Sequence, residues 1–168
     1  MGSRYGASRG SFLPVLNRIV QITKGPVLEL GVGYNSSPYL YWACYPSRRL
    51  VSYENDPEFY KQFAWPAHFH EIHLITDWNA IDISEPWSVA FVDHSPHADR
   101  AMSMTRLTHA DFVVVHDTED RNDHFYHTSE VSHLYKYKWR WEKPYPQTSV
   151  FSNKFDPNII FSENPLGA

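Results

Sequence analysis

Two nearly continuous apolar segments of the chain each end in an aspartate beside a histidine. WSVAFVDH ends in Asp93-His94, and ADFVVVHD ends in His116-Asp117. Apolar runs of this kind are typical of strands that are covered on both faces of a parallel sheet. Because ligands bind outside the carboxyl ends of such strands, we expect these four side chains to meet at one edge of the sheet.

Three kinds of chemistry are open to this group. Two carboxylates can hold Mg²⁺, which takes one or two carboxylates together with water and substrate oxygens. Without a metal, His94, His97 or His116 can act as a general base, with Asp93 or Asp117 orienting the ring, because an imidazole titrates near neutral pH. Histidines also offer ligands for zinc, although their spacing matches no complete tetrahedral set. The histidines considered for zinc are His94, His97, His116, His124 and His127.

A second candidate site lies in a glycine-containing turn. Residues 28–37 (LELGVGYNSS) follow a predicted strand and lead into a predicted helix. Gly31 and Gly33 allow a tight turn and a close approach of a ligand to the backbone. About 20 residues further on, at the end of the next predicted strand, Glu54 can accept hydrogen bonds from the hydroxyls of a ribose.

Short apolar segments alternate with helix signals along the chain. Apolar residues at spacings of three and four predict a helix over residues 13–22. Ser37-Pro38 and Asp56-Pro57 each place a capping side chain before a proline, which predicts helices over 39–45 and 59–64. Two more helices are predicted over 98–107 and 129–137, and strands over 26–32, 49–54, 71–76, 87–93, 110–117, 138–142 and 149–152. The alternation predicts an α/β fold, with a mostly parallel seven-stranded sheet, an antiparallel last strand and helices on both faces.

In their order, these motifs resemble the class I (Rossmann-like) S-adenosylmethionine (SAM)-dependent methyltransferases. The resemblance rests on LELGVGYNSS (28–37), VSYENDPEF (51–59), TDW (76–78), VAFVDH (89–94) and FVVVHDT (112–118), and it covers about residues 12–154. It implies that Glu29 and the backbone of residues 31–36 hold the methionine end of SAM, that Glu54 binds the ribose, and that Asp77 and Trp78 lie beside the adenine. The implied cofactor residues are Glu29, Gly31, Gly33, Tyr34, Asn35, Ser36, Glu54, Asn55, Asp77, Trp78 and Asp93.

A dinucleotide-binding enzyme is less similar. Glu29 precedes the first glycine without being required by the dinucleotide fingerprint, and Ser36 replaces its third glycine. The resemblance therefore implies one SAM-binding domain over residues 1–168, with a core of about 12–154, an N-terminal arm (1–11) and a C-terminal tail (155–168).

Within that family, the aspartates after strands four and five resemble the metal-dependent catechol O-methyltransferase branch. This resemblance implies Mg²⁺ ligands at Asp93, Asp117 and Thr118, where Thr118 stands in the place of that branch's asparagine. The lysine base of the branch is missing from the loop DHSPH (93–97). Two alternatives therefore stay open: a metal-dependent reaction, and a metal-free reaction in which Asp93, His94, His97 or His116 is the catalytic residue.

The resemblance implies transfer of the methyl group of SAM to a small-molecule acceptor, because little chain lies beyond the core. We expect O-methylation first and N-methylation next, and no motif like Asn-Pro-Pro-Tyr points to DNA or glutamine. The alternatives are a non-catalytic SAM-binding or interaction domain, and a metal-assisted hydrolase or oxygenase that uses Asp93 and Asp117. Arg100 either binds an acidic acceptor or covers a solvated helix face. The candidate walls of the acceptor site are Arg4, Tyr5, Arg9, residues 96–100, residues 118–128, Trp141 and Tyr145.

Composition excludes several other classes of protein. With 168 residues, of which 42% are hydrophobic and 20% charged, the chain suits one soluble domain. A net charge of −4 argues against nucleic acid as the partner. We expect no membrane partner, because no apolar run approaches the roughly 20 residues that span a bilayer and no signal peptide is recognisable. The single cysteine, Cys44, fits the reducing cytoplasm, and the 16% of aromatic residues hints at a homodimer face.

Overall fold

One seven-stranded sheet organises the chain in the computed structural model, which describes residues 10–65, 67–143 and 145–162. Its strands are β1 (Val27–Leu30), β2 (Leu50–Glu54), β3 (His70–Leu74), β4 (Val89–Val92), β5 (Phe112–His116), β6 (Tyr137–Trp141) and β7 (Thr148–Ser152). They lie in the order β3-β2-β1-β4-β5-β7-β6. Only β7 runs antiparallel to its neighbours β5 and β6, among the strands described. The predicted α/β fold with a reversed last strand is confirmed.

Helices cover both faces of the sheet. They are α1 (Leu13–Ile22), α2 (Ser36–Cys44), α3 (Pro57–Phe63), α4 (Asp99–Arg106), α5 (Asp123–Tyr126), α6 (Thr128–Ser132) and α7 (Pro157–Ser162). A single 3-10 turn at Asp120–Asn122 precedes α5. The bounds of α1 agree with the sequence-based prediction, whereas α5 and α7 were not predicted. A search of the described helices finds none with the length and apolar character needed to cross a bilayer.

The core has two layers because alternate residues of a strand point to opposite faces. On one face Val27 of β1 packs with α1, whose apolar stripe is buried. On the other face Leu28 and Leu30 pack with Trp78 and Met104. Strands β1, β4 and β5 are buried along their whole length. Their double coverage explains why apolar residues follow one another in β4 and β5 without alternation.

The start of α2 differs from its prediction. The helix begins at Ser36, and the Ser37 side chain is not its cap. The Ser37 hydroxyl accepts a hydrogen bond from the Gly33 amide (2.9 Å) and donates one to Oε1 of Glu29 (2.8 Å). The second predicted cap is confirmed, since Asp56 Oδ1 accepts hydrogen bonds from two backbone amides at the start of α3.

Strand β1 lies between β2 and β4. The chain adds β2 and β3 on one side of β1 and then crosses over to add β4 and β5 on the other side. A crevice forms at such a switch point, outside the carboxyl ends of the strands. Three segments that carry candidate site residues meet there: the turn after β1, the end of β2 and the end of β4.

Candidate active site

A cavity of about 410 Å³ opens at this switch point. The turn after β1 and the ends of β2, β4 and β5 form its wall, and Phe12 and Pro146 close one side. The structure thus brings most of the predicted site residues together. Those on the wall are Gly31, Gly33, Tyr34, Asn35, Ser36, Glu54, Asn55, Asp93, His94, His116 and Asp117.

Five predicted site residues do not line this cavity. Glu29 is buried beneath the glycine turn, and Trp78 is buried behind His94. Asp77 is exposed, and its Oδ1 accepts a hydrogen bond from the Asn79 amide (2.8 Å). His97 is exposed and packs against the ring of Tyr126, whereas Thr118 is buried and hydrogen-bonded to Ser149 (2.7 Å).

The acceptor walls proposed from sequence do not line this cavity where the structure describes them: residues 96–100, residues 118–128, Trp141 and Tyr145 are all absent from its wall. The apolar and aromatic residues on the wall are Phe12, Val32, Tyr34, Phe59 and Pro146. The Tyr145 ring lies beneath the guanidinium of Arg121. The prediction for Arg4, Tyr5 and Arg9 falls outside the described residues.

The glycine turn is held close to β4 and to Glu54. Gly31 has a φ of 91°, and a Cβ at this position would lie 2.7 Å from the Cα of His94. The Glu54 carboxylate accepts hydrogen bonds from the amides of Val32 (2.8 Å), Asn55 (2.8 Å) and Asp56 (2.7 Å). A carboxylate has about four lone-pair positions, so it can still accept a ligand hydroxyl. The N-cap side chain of α2, Asn35, caps no helix amide.

A chain of hydrogen bonds runs beneath this turn. Oε2 of Glu29 accepts from the Ser52 hydroxyl (2.7 Å), and its Oε1 accepts from Ser37. Because the one hydroxyl hydrogen of Ser52 is used in this way, Ser52 accepts from Nε2 of His70 (3.1 Å). Burial raises the pKa of Glu29 to about 7. Glu29 therefore supports the turn from below rather than from the cavity.

His116 is protonated on both ring nitrogens. The Ser11 hydroxyl donates its hydrogen to the Pro146 carbonyl (2.7 Å), so it accepts from Nε2 of His116 (3.0 Å). Nδ1 faces Oδ2 of Asp93 at 3.3 Å, and a carboxylate can only accept. Burial lowers the pKa of His116, but the charge of Asp93 and its hydrogen bond outweigh burial and raise it overall. In this arrangement His116 has no free nitrogen with which to act as a general base.

The ring of His94, in contrast to that of His116, is neutral. Its Nε2 is hydrogen-bonded to the Ser103 hydroxyl (2.9 Å), and its Nδ1 has no hydrogen-bond partner among the described residues. Burial, reinforced by the charge of Arg100, lowers the pKa of His94 to about 3. The ring is therefore neutral and a weak base. The remaining predicted base is Asp93, whose carboxylate lies on the cavity wall. Burial alone would raise the pKa of Asp93, but the nearby charges of His116 and Arg100 outweigh burial and lower it.

Arg100 corrects both sequence-based interpretations of this residue. It neither extends into the cavity nor covers a solvated face, because it is buried with 2% of its surface exposed. It binds the aspartates, with Asp93 Oδ1 at 2.9 Å from Nη2 and Asp117 Oδ2 at 3.5 Å from Nη1. It also donates to the carbonyls of His94 (2.7 Å) and His116 (3.0 Å). The missed signal is that two partly buried aspartates need a nearby cation, and that Arg100 and Arg106 are the arginines between them in the sequence.

The cluster does not fit Mg²⁺. Asp93, His116 and Asp117 do bring one possible ligand atom each within 4.8 Å of the others. Both carboxylates are already paired with Arg100, however, and the protonated His116 has no lone pair for a metal. The hydroxyl of Thr118 is bonded to Ser149 and does not complete the set.

The histidines considered for zinc do not come together as a set. Among the described residues, the group of possible metal ligands contains His116 alone of the five, with Asp93 and Asp117. His97 and His124 are exposed, and His127 is bonded to Glu130 (2.8 Å).

Among comparisons with known proteins, only the comparison of structures finds similar proteins. No protein-family model matches the chain, and no curated protein matches its sequence. Among solved structures, the cofactor-bound protein Rv0187 from MTB is similar with a TM-score of 0.64 and 18% identity, over 90% of this chain and 84% of that one. The O-methyltransferase TomG from Streptomyces achromogenes, in complex with SAM, has a TM-score of 0.57 and 21% identity over 85% and 78%.

A third similar structure is the O-methyltransferase from Bacillus cereus in complex with SAH, with a TM-score of 0.61 and 14% identity over 90% and 83%. An N-methyltransferase and an RNA methyltransferase also match, so the likeness does not distinguish acceptors. The chain has the fold of the class I SAM-dependent methyltransferases.

Proposed function

We propose that this protein is a SAM-dependent methyltransferase (EC 2.1.1.-) that acts on a small-molecule acceptor. The observation that carries the proposal is the placement of Glu54 and the 31–36 turn on one cavity wall beside Asp93. The free acceptor capacity of Glu54 suits a ribose hydroxyl. At the uncapped start of α2, the amide of Ser36 has no partner among the described residues and can serve the methionine carboxylate. The similar structures that contain SAM or SAH support the same ligand.

The cofactor would supply a methyl group that its sulfonium has already activated. The protein then has to align the acceptor and accept its proton. We assign the proton to Asp93, because His94 is a weak base and His116 is already protonated. A carboxylate with a lowered pKa is itself a weak base, so O-methylation of an acidic hydroxyl, such as a phenol, suits it. Phe12 and Pro146 offer an apolar wall for such a ring.

Calorimetric titration of the purified protein with SAM and SAH tests the proposal. We expect both to bind, and Glu54→Gln to weaken binding about tenfold or more, because a charged hydrogen-bond acceptor for the ribose is lost. Glu58→Gln is the matched control, since Glu58 is exposed and paired with Lys61 on the outside of α3. Absence of heat with both ligands for a folded wild-type protein would refute the proposed function.

A non-catalytic SAM-binding domain is the second candidate. It is favoured by the protonation of His116 and the neutrality of His94, which leave no strong base on the wall. An acceptor screen that follows SAH release separates the two. Turnover that Asp93→Asn reduces supports the enzyme, whereas SAM binding without turnover across phenols, alcohols and amines supports the binding domain.

A further inference from the structure

Arg100 forms hydrogen bonds to two strand ends. It is the second residue of α4, and its guanidinium reaches the carboxyl ends of both β4 and β5. A guanidinium has five N–H donors. Four of them are used by the carbonyls of His94 and His116 and by the carboxylates of Asp93 and Asp117.

The surroundings hold Arg100 in this position. Its guanidinium lies 4.6 Å from the centre of the Tyr126 ring, and the Tyr126 hydroxyl donates to Oδ2 of Asp117 (3.2 Å). Asp117 has a φ of 60°, a conformation that costs energy in a residue other than glycine. The side chain of Asp117 is thus directed to Arg100 and Tyr126 by a backbone that is itself strained.

The charges of the cluster are already balanced. Asp93 and Asp117 carry two negative charges, while Arg100 and the doubly hydrogen-bonded His116 carry two positive ones. A divalent cation between the carboxylates would lie a few ångströms from two cations in a poorly solvated place. Repulsion at such distances is strong where the effective dielectric constant is low.

We propose that Arg100 takes the place of a divalent cation between Asp93 and Asp117, so that the protein needs no metal and its acceptor presents one nucleophilic atom. The part that concerns the acceptor rests on the proposed function. A metal ion with open positions can bind two neighbouring oxygens of a substrate. Arg100 is buried and does not line the cavity, so it has no open positions at which a pair of acceptor oxygens could be chelated.

Binding of Mn²⁺, followed by electron paramagnetic resonance, tests the metal part without any need for SAM. We expect no stoichiometric binding to the wild-type protein at millimolar Mn²⁺. Arg100→Met removes the internal cation and should gain a site that binds Mn²⁺ about tenfold or more tightly than the wild type does. Asp93→Asn in the Arg100→Met background should abolish that gain.

Arg106→Met is the matched control. Arg106 lies on the same helix and donates to the carbonyls of Trp78 and Ile81, and it forms no ion pair with a carboxylate of the described residues. It should lose stability without gaining Mn²⁺ affinity. A folded Arg100→Met protein that binds Mn²⁺ no better than Arg106→Met would overturn the proposal. So would stoichiometric Mn²⁺ binding to the wild type that Mg²⁺ displaces, a measurement that holds even where Arg100→Met does not fold.

The acceptor part has its own readout. If SAM binds and an acceptor is found, turnover should be unchanged by EDTA, and single phenols should react as well as catechols. A rate that falls at least tenfold in EDTA and recovers with Mg²⁺ contradicts the proposal. If SAM does not bind, the proposed function is refuted. The Mn²⁺ experiment still tests the role of Arg100 in that case, because it does not depend on SAM.

Discussion

The imidazole of His94 stacks on the indole of Trp78, with ring centroids 4.0 Å apart and planes inclined by 20°. The stack buries His94 and keeps it neutral, with a folded-state pKa of about 3 against 6.5 for the free side chain. Between these two values the unfolded chain binds a proton that the folded chain does not. Stability from this residue is therefore complete above pH 6.5 and falls as the pH drops toward 3.

We predict that His94→Gln, which does not titrate, will be less stable than the wild type at pH 7 because the stack is weakened. The difference should shrink as the pH falls to 4.5. Urea unfolding at several pH values measures it, and His124→Gln at an exposed position is the control. A difference that stays constant across this range would contradict the burial of a neutral His94.

The two glycines of the turn should differ sharply in their tolerance of a side chain. At Gly31 an added Cβ meets backbone atoms of Asp93 and His94 within 2.8 Å, and its φ of 91° disfavours alanine. At Gly33 the nearest contact is Oγ of Ser36 at 3.3 Å, which can rotate away. We predict that Gly31→Ala lowers the free energy of unfolding by more than about 2 kcal/mol and Gly33→Ala by less than about 1 kcal/mol. Thermal and urea unfolding of both variants check this, and equal losses would contradict it.

The sequence predicted most of the fold because its signals are local. Each strand is a short apolar run, and α1 and α3 carry a recognisable apolar stripe or a capping aspartate before proline. The start of α2 was misplaced because Ser37 has a stronger partner in Glu29 than in its own helix. Helix α7 was missed because its burial depends on a distant contact, the stacking of Phe161 on Trp139 at 3.9 Å.

Glu29 should make the protein less stable as the pH rises. Burial raises its pKa from 4.5 to about 7, so in that interval the folded chain binds a proton that the unfolded chain has lost. Stability from this residue is greatest below pH 4.5 and falls by up to about 3 kcal/mol as the pH passes 7. We predict that Glu29→Gln lacks this fall, so that its stability relative to the wild type increases from pH 5 to pH 7.5, as measured by urea unfolding. Glu58→Gln, in contrast, should keep the wild-type slope.

The site was predictable in its location and only partly in its chemistry. Strand order alone places the ends of β1, β2, β4 and β5 at one crevice, which is why Glu54, Asp93 and Asp117 were found. The spacing of residues in the sequence does not reveal which group donates each hydrogen bond. His116 is a cation because both of its ring nitrogens donate, to Ser11 and to Asp93. The role of Arg100 depends on how α4 lies over two strand ends, which is a tertiary contact.

The protonation of His116 can be observed directly. Its hydrogen bonds to Ser11 and Asp93 require hydrogens on both nitrogens, and the two aspartates raise its pKa despite burial. We predict ¹⁵N chemical shifts of an imidazolium for His116 at pH 7, and of a neutral ring for His94. Asp93→Asn should lower the pKa of His116, whereas Asp120→Asn, at an exposed aspartate paired with Arg140, should not. Neutral-ring shifts for His116 in the wild type would contradict the assigned hydrogen-bond directions.

The position of β7 has a consequence for synthesis of the chain on the ribosome. This strand forms between β5 and β6, and its pairing with β5 covers the open side of one of the most apolar strands. Until residues 148–152 have emerged, β5 presents an unpaired edge, and such edges pair readily with other chains. The sheet is therefore completed only after nearly all of the described chain has been made, and until then the edge of β5 is open to pairing with other chains.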